Sequence, residues 1–405
     1  MRRLSLLVVV ASFACADDAT TVAASTSSGD TSSTGAPSTT TTVTTTDPSS
    51  TTASSMTGAD TSAGPGPDDT GSSSTAAADS SSSDDGGTRG GAIYEQCFAD
   101  QFVNDFTLGP NYDQFKPTIG SHCLGTNHQD ITDIERVVFL GDSVTVGTPP
   151  TLSADYYRSQ VADGLADEFS LIFGEGLQGE TIWKLVDFIN GVTLTRDSGA
   201  FSSCARWGAR TDDLLDPGMQ IADCFPPETR ELRTLVIITA GGNDLSSLTQ
   251  DAIGGATEEM LWAEITSAVD LQRDAVTWLK DPKNFPNGSF VIFSNMFEFT
   301  DGTGDVESCD VSGLAGFDEP VPSPEQLADM VVWANEQFMS IAVETNSDMI
   351  FMLENFCGHG FNADNPEAPC YRGPGTEVWF DLTCIHPNPT GHDQVTNMFL
   401  SVVAE

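Results

Sequence analysis

Basic side chains are scarce in this 405-residue chain: 16 Lys and Arg stand against 59 Asp and Glu, a net charge of −43. Phosphate backbones and anionic lipid surfaces repel such a molecule, so nucleic acid is excluded as a partner and so is an electrostatically held membrane surface. Long apolar runs are missing as well. The N-terminal stretch over residues 4–11 falls far short of the ~20 residues a membrane-spanning helix needs. No cysteine pair has the CxxC spacing that a zinc site favours. No internal repeat is visible, and no acidic run has the spacing of an EF-hand loop.

What is present at the start reads as an export signal. Arg2 and Arg3 precede the short apolar stretch, and small residues lead to Cys15. "SFAC" resembles the lipobox of bacterial lipoproteins, in which the cysteine is lipidated and becomes the new N-terminus. Ser12 stands where that motif usually has leucine, and Ser12 with Ala14 also suits an ordinary small-x-small cleavage site. The expectation for residues 1–15 is therefore a leader that delivers the chain to the cell surface or outer membrane through a lipid on Cys15, or else secretes it. A lipid on Cys15 would be its only membrane contact.

Nine cysteines are present, and setting Cys15 aside leaves Cys97, Cys123, Cys204, Cys224, Cys309, Cys357, Cys370 and Cys384. An even set in an exported chain predicts disulfides. Sequence-near pairs such as Cys97–Cys123 and Cys204–Cys224 are favoured because short loops close easily.

Residues 16–91 are Ser, Thr, Ala, Gly, Asp and Pro with almost nothing large and apolar. Such a stretch cannot bury enough surface to offset its ordering entropy and reads as a tether. From residue 92 to 405 the pattern is globular. Strands are predicted over 136–140, 170–173, 234–239, 290–294 and 349–353, and helices over 152–168, 257–280, 324–345 and 390–403. In the third helix Ser323 is the expected cap, with Pro324 in the first turn and Gln326 completing a capping box. Strands alternating with helices predict an α/β domain whose parallel sheet is covered on both faces. A monomer is expected.

Four pieces line up in chain order. "GDSVT" ends the first strand at Ser143. "WGARTDDLL" opens a polar turn at Gly208. "LVIITAGGNDLSSL" is a buried strand ending in Gly241, Gly242, Asn243 and Asp244. "DLTCIHPNPTGHDQV" places His386 just before the last helix. A serine hydroxyl is a weak nucleophile and needs an adjacent base, most often histidine. Attack on an ester builds an alkoxide that preorganised N–H donors must stabilise. Strand C-termini of an open α/β sheet face one crevice, where such distant segments can meet.

On these four blocks the chain resembles the GDSL-type hydrolases of the SGNH superfamily over roughly residues 130–402. The resemblance implies a flavodoxin-like three-layer α/β/α sandwich and a hydrolase that needs no cofactor, and the expected substrate is an acyl ester of a lipid, a carbohydrate or a small molecule. Position by position it implies Ser143 as nucleophile and oxyanion donor, Gly208 and Asn243 as further oxyanion donors, and His386 as base and then acid. One position departs. The family commonly has an aspartate three residues before the histidine, and here that residue is Thr383. Either Asp381 or a main-chain carbonyl near Thr383 or Cys384 would orient the imidazole. The carbonyl is preferred, because Asp381 sits five residues away and Cys384 can pin the loop through a disulfide.

Blander readings apply elsewhere. Asp244 is expected to cap the helix that follows it, His392 to lie on a helix surface, and Trp207 to line the crevice or simply to pack. Asp301, Asp305 and Asp310 hint at calcium but read better as a loop stapled by Cys309. A surface binding domain that kept the fold without turnover is the second functional reading, favoured only by the missing aspartate.

Overall fold

The computed structural model describes residues 91–104, 109–317 and 319–405. The expectations for the leader, Cys15 and the tether up to residue 90 lie outside the described residues. The first strands are written plainly in the sequence. β1 (Arg136–Gly141), β4 (Thr234–Thr239) and β5 (Ser289–Ser294) are runs of β-branched and aromatic residues buried along their whole length, the pattern of central strands covered on both faces. They join β2 (Asp197–Ser198), β3 (Phe201–Ser203) and β6 (Asp348–Ile350) in one six-stranded sheet of order β2-β3-β1-β4-β5-β6. Every pairing is parallel except that of edge strand β2 with β3. In register, Phe139 lies opposite Ile237 and Ile237 opposite Ile292.

Successive side chains alternate between the two faces, so the core divides in two. Val138, Leu140, Val236 and Ile238 pack against Ile265, Val269 and Val276 of α5 (Glu258–Lys280) and against Met330 and Phe338 of α6 (Pro324–Thr345). Val137, Phe139, Leu235 and Ile237 pack against Val161 and Leu165 of α3 (Tyr157–Phe169) and against Val395, Phe399 and Val402 of α8 (Pro389–Ala404). The three-layer α/β/α sandwich is thus the observed fold. Three short or intermediate helices complete the part that matters for the site: α2 (Ser143–Val146), α4 (Gly242–Ile253) and α7 (Met352–Phe356). Before them lies α1 (Gly91–Cys97).

Some elements differ from the sequence reading. The segment 170–173 is not a strand: Ser170 closes α3 in a left-handed conformation, and Ile172 is 76% exposed. The place beside β1 belongs to Phe201–Ser203, whose polar, three-residue sequence carries no strand signal. Arg136 explains it, because its guanidinium donates to Ser202 Oγ and the Cys224 carbonyl, and Phe201 stacks on Phe173. The segment 349–353 splits into the end of β6 and the start of α7. Ser323 precedes α6 without a side-chain capping bond; its carbonyl instead accepts from the Gln326 and Leu327 amides.

All eight cysteines pair, as Cys97–Cys123, Cys204–Cys224, Cys309–Cys384 and Cys357–Cys370. The first two are the sequence-near pairs expected. Cys309–Cys384 joins segments 75 residues apart.

At the β1 C-terminus the backbone turns on Gly141, with φ +123°. A Cβ there would lie 1.9 Å from the Thr239 carbonyl oxygen of the neighbouring strand. Gln220 grips the same residue on both sides, accepting from its N–H at 2.7 Å and donating to its carbonyl at 2.9 Å. Gly141→Ala is expected to cost about 3 kcal/mol or more through left-handed strain and collision. Thermal denaturation should register this as a fall in Tm of at least about 6 °C; an unchanged Tm would contradict the argument.

Candidate active site

The corner made by Gly141 delivers Asp142 and Ser143 to the open end of the sheet. Asp142 caps α2, its carboxylate accepting from the Val144 amide at 2.9 Å and from Thr239 Oγ1 at 3.1 Å. Burial raises the Asp142 pKa to about 7, with those two donors pulling the other way. Beneath α2, Thr145 joins Tyr157 and Thr239 in a buried hydroxyl network. Arg158, also buried, donates to the carbonyls of Thr145, Val146, Trp183 and Lys184. The first turn of α2 is therefore held from below, and Ser143 projects from it with 8% of its surface exposed.

His386 meets it from the opposite side. The 381–386 loop closes on itself: the Asp381 amide donates to the His386 carbonyl at 2.9 Å, and the Cys384 amide to the Asp381 carbonyl at 3.1 Å. Cys384 takes a positive φ of 71° and is tied to Cys309. His386 Nε2 lies 2.7 Å from Ser143 Oγ. On the far side of the ring neither expected partner faces Nδ1. Its neighbour is Thr383 Oγ1 at 2.6 Å, and Thr383 in turn donates to Asp381 Oδ1, from the hydroxyl at 2.5 Å and from the amide at 2.7 Å. Asp381 does not touch the imidazole, and neither does a main-chain carbonyl. The reason is spacing: five residues separate Asp381 from His386, and the hydroxyl at the third position fills the gap. Desolvation pulls the His386 pKa down toward about 4, so the ring is neutral and able to accept a proton at neutral pH.

Asn243 and Asp244 act as a pair. Asn243 Nδ2 donates to the Ala209 carbonyl at 2.8 Å, leaving its second N–H for the site. Asp244 does not cap α4. Its buried carboxylate accepts from Thr211, from the hydroxyl at 2.8 Å and the amide at 3.1 Å. Together they anchor the Gly208 block, which is also held at Arg206, whose amide donates to the Gly141 carbonyl at 3.0 Å. Gly208 itself is exposed, with φ +75°, and does not line the cavity. Trp207 is also absent from the lining; its indole donates to the Gly147 carbonyl at 3.0 Å.

Ser143, Asn243 and His386 share the wall of a cavity of about 150 Å³. The rest of that wall is mainly apolar, with Phe297, Phe299, Phe317, Leu327, Val331 and Phe380. Of the two acids in that wall, Asp142 is held by the Val144 amide and Thr239, and Glu298 accepts from the Thr300 and Gly302 amides. The Cys309–Cys384 bridge links the loop that supplies this wall to the loop that carries His386.

Of the calcium candidates, Asp310 is exposed, and the other two serve their own loops. Asp301 accepts from the amides of Gly358, Gly360 and Asn362 at 2.7–2.9 Å, and Asp305 from that of Glu307. Among the described residues no group of three or more His, Cys, Asp or Glu could hold a metal ion. His392 is not on the surface but 1% exposed, because it packs between Tyr156 and Tyr157 and accepts from the Tyr157 amide at 3.2 Å. Thr383 and Gln220 are the residues the sequence reading missed. Only for Thr383 was there a signal, since it stands where the GDSL pattern has aspartate.

No protein-family model and no curated protein matches the chain. Among solved structures the chain is similar to a gut microbial diltiazem-metabolizing enzyme, with 12% identity over 69% of this chain and 49% of that one, at a TM-score of 0.40. It thus spans about half of that enzyme's length. It is also similar to an extracellular lipase from Streptomyces rimosus, with 17% identity over 66% of this chain and 99% of that one, at 0.38. A member of the lipolytic G-D-S-L family from Veillonella parvula shares 16% identity over 67% of this chain and 98% of its own, at 0.32.

The His386 environment makes its own prediction. In a proton NMR titration its Cε1–H resonance should shift with a midpoint well below the ordinary 6.5, toward about 4, because burial opposes the charged form. A midpoint at or above 6.5 would mean that the ring is solvated or held by a direct carboxylate.

Proposed function

We propose that this protein is an exported serine esterase of the GDSL type, acting on esters whose acyl part is apolar and compact. The observation that carries the reading is the 2.7 Å contact between Ser143 Oγ and His386 Nε2 in the wall of an apolar cavity. Ser143 attacks the ester carbonyl carbon while its hydroxyl proton passes to Nε2. The oxyanion that forms is met by the Ser143 amide, one of the first-turn amides without an intrahelical acceptor, and by the second N–H of Asn243. The imidazolium then gives its proton to the departing alcohol. Water repeats the sequence on the acyl-enzyme and releases the acid. The Gly208 amide, on the block that Asn243 and Asp244 anchor, is the third proposed donor.

The cavity sets the acyl preference. Apolar cavities of about 150 Å³ take up a benzene-sized group, which corresponds to an acyl part of about six carbons. The four disulfides support export, and a lipid on Cys15 would place the enzyme at the cell surface. The second reading, a binding domain without turnover, rests on the missing aspartate; the Ser143–His386 contact favours the first.

A chain-length series of p-nitrophenyl esters on the purified protein tests this. Hexanoate, butyrate and benzoate should be cleaved with kcat/KM at least about tenfold above palmitate, in keeping with a small cavity. Ser143→Ala and His386→Ala should each remove at least about 10³-fold of kcat, since nucleophile and base act as a unit. No turnover of any ester by the wild-type protein would overturn the proposal.

A further inference from the structure

The contacts around His386 leave one carboxylate oxygen unexplained. Asp381 is 6% exposed, and while its Oδ1 accepts twice from Thr383, its Oδ2 is buried with no hydrogen-bond partner. A carboxylate half-satisfied in this way is costly unless a positive charge faces it at some stage. The group that becomes positive is the imidazolium of His386, separated from it by one hydroxyl.

We propose that Thr383 is a positioning residue that couples Asp381 to His386 through its hydroxyl, replacing the direct carboxylate–imidazole contact with a two-step relay. Every donor in the chain runs in one direction. Ser143 O–H points to Nε2, the proton on Nδ1 points to Thr383 Oγ1, and Thr383 O–H points to Asp381 Oδ1. The Thr383 amide, 2.7 Å from the same oxygen, fixes the residue relative to Asp381. The hydroxyl proton is thereby committed to the carboxylate, and an oxygen lone pair is left facing Nδ1. A hydroxyl polarised by a buried anion is a better acceptor than a free one, because chains of hydrogen bonds polarise one another. The relay therefore selects the Nδ1-protonated tautomer that the base requires and stabilises the charge His386 gains in the transition state, without net transfer of a proton to Asp381.

The backbone supports this arrangement. The Asp381 amide is bonded to the His386 carbonyl, the Cys384 amide to the Asp381 carbonyl, and Cys384 is bridged to Cys309. The five-residue separation that keeps Asp381 from the ring is the separation that admits one hydroxyl between them. Two titratable side chains beside the pair, Tyr156 and His392, stay neutral. Burial raises the Tyr156 pKa to about 12 and lowers that of His392 to about 3. Burial lifts Asp381 itself to about 6, against the two donors from Thr383, so it is ionised near neutral pH.

This inference rests on the esterase reading of the site, and its test separates the two. In ¹⁵N-labelled protein without substrate, the Nδ1–H proton of His386 should appear strongly downfield. It should persist in Thr383→Ser and move upfield or vanish in Thr383→Val; a resonance unchanged in Thr383→Val would overturn the relay whatever the enzyme hydrolyses. With the best p-nitrophenyl ester, Thr383→Ser should keep kcat within about threefold. Thr383→Val should lower it by about 10²-fold at unchanged KM, because only the transition-state charge loses support. Asp381→Asn should reduce kcat in the wild-type background but add less than about threefold in the Thr383→Val background, the non-additivity of groups acting through one another. Wild-type kcat in Thr383→Val, or an Asp381→Asn loss of equal size in both backgrounds, would contradict the proposal. If Thr383→Val fails to fold by circular dichroism, Thr383→Ala gives the same comparison.

Discussion

Gly141 lies so close to the carbonyl of Thr239 that no side chain fits between the two strand ends. That approach is what the rest of the site depends on. Because β1 and β4 end side by side, Thr239 can hold the Asp142 carboxylate, Asp142 can cap the one-turn helix, and Ser143 stands free above it. The glycine before the serine is required by a collision with the next strand and by a left-handed φ, whatever its role in making a turn. Gln220 then fixes the Gly141 peptide from both directions, and the Cys204–Cys224 bridge ties the helix of Gln220 to the end of β3.

Around that corner the protein buries an unusual amount of polarity for an apolar cavity. Asp142, Asp244, Asp301, Glu298 and Asp381 are all raised by desolvation and all accept hydrogen bonds from amides or hydroxyls. Most of these carboxylates organise loops: Asp244 fastens the Gly208 block to α4, and Asp301 gathers the 358–362 turn. Part of the chain's acidity is thus internal architecture. Asp381 differs from the others in keeping one oxygen without a partner next to the base, and this separates a relay from a loop staple.

The central strands, the long helices and the sandwich were legible because β1, β4 and β5 are continuous apolar runs and α5 repeats its apolar residues at helical spacing. Ser143, Asn243 and His386 were legible as types in order, and the structure brings all three to one cavity. What was not legible depended on partners distant in sequence. Phe201–Ser203 is a strand because Arg136 and Phe173 receive it, and nothing within "FSS" says so. His392 has the surroundings of a surface helix in sequence and is buried only because α3 brings two tyrosines over it. Asp244 looks like a cap until Thr211 is placed against it. Thr383 was seen as an absence, a missing aspartate, when it is a different way of making the same connection.

The central claim is that Ser143 is a nucleophile activated by His386, and covalent labelling reads it most directly. Treatment with a small alkyl fluorophosphonate, followed by intact mass and peptide mapping, should show one adduct, on Ser143. Labelling should slow by at least about 10²-fold in His386→Ala, since the hydroxyl then lacks its base. No adduct, an adduct on another residue, or equal labelling rates with and without His386 would contradict the account.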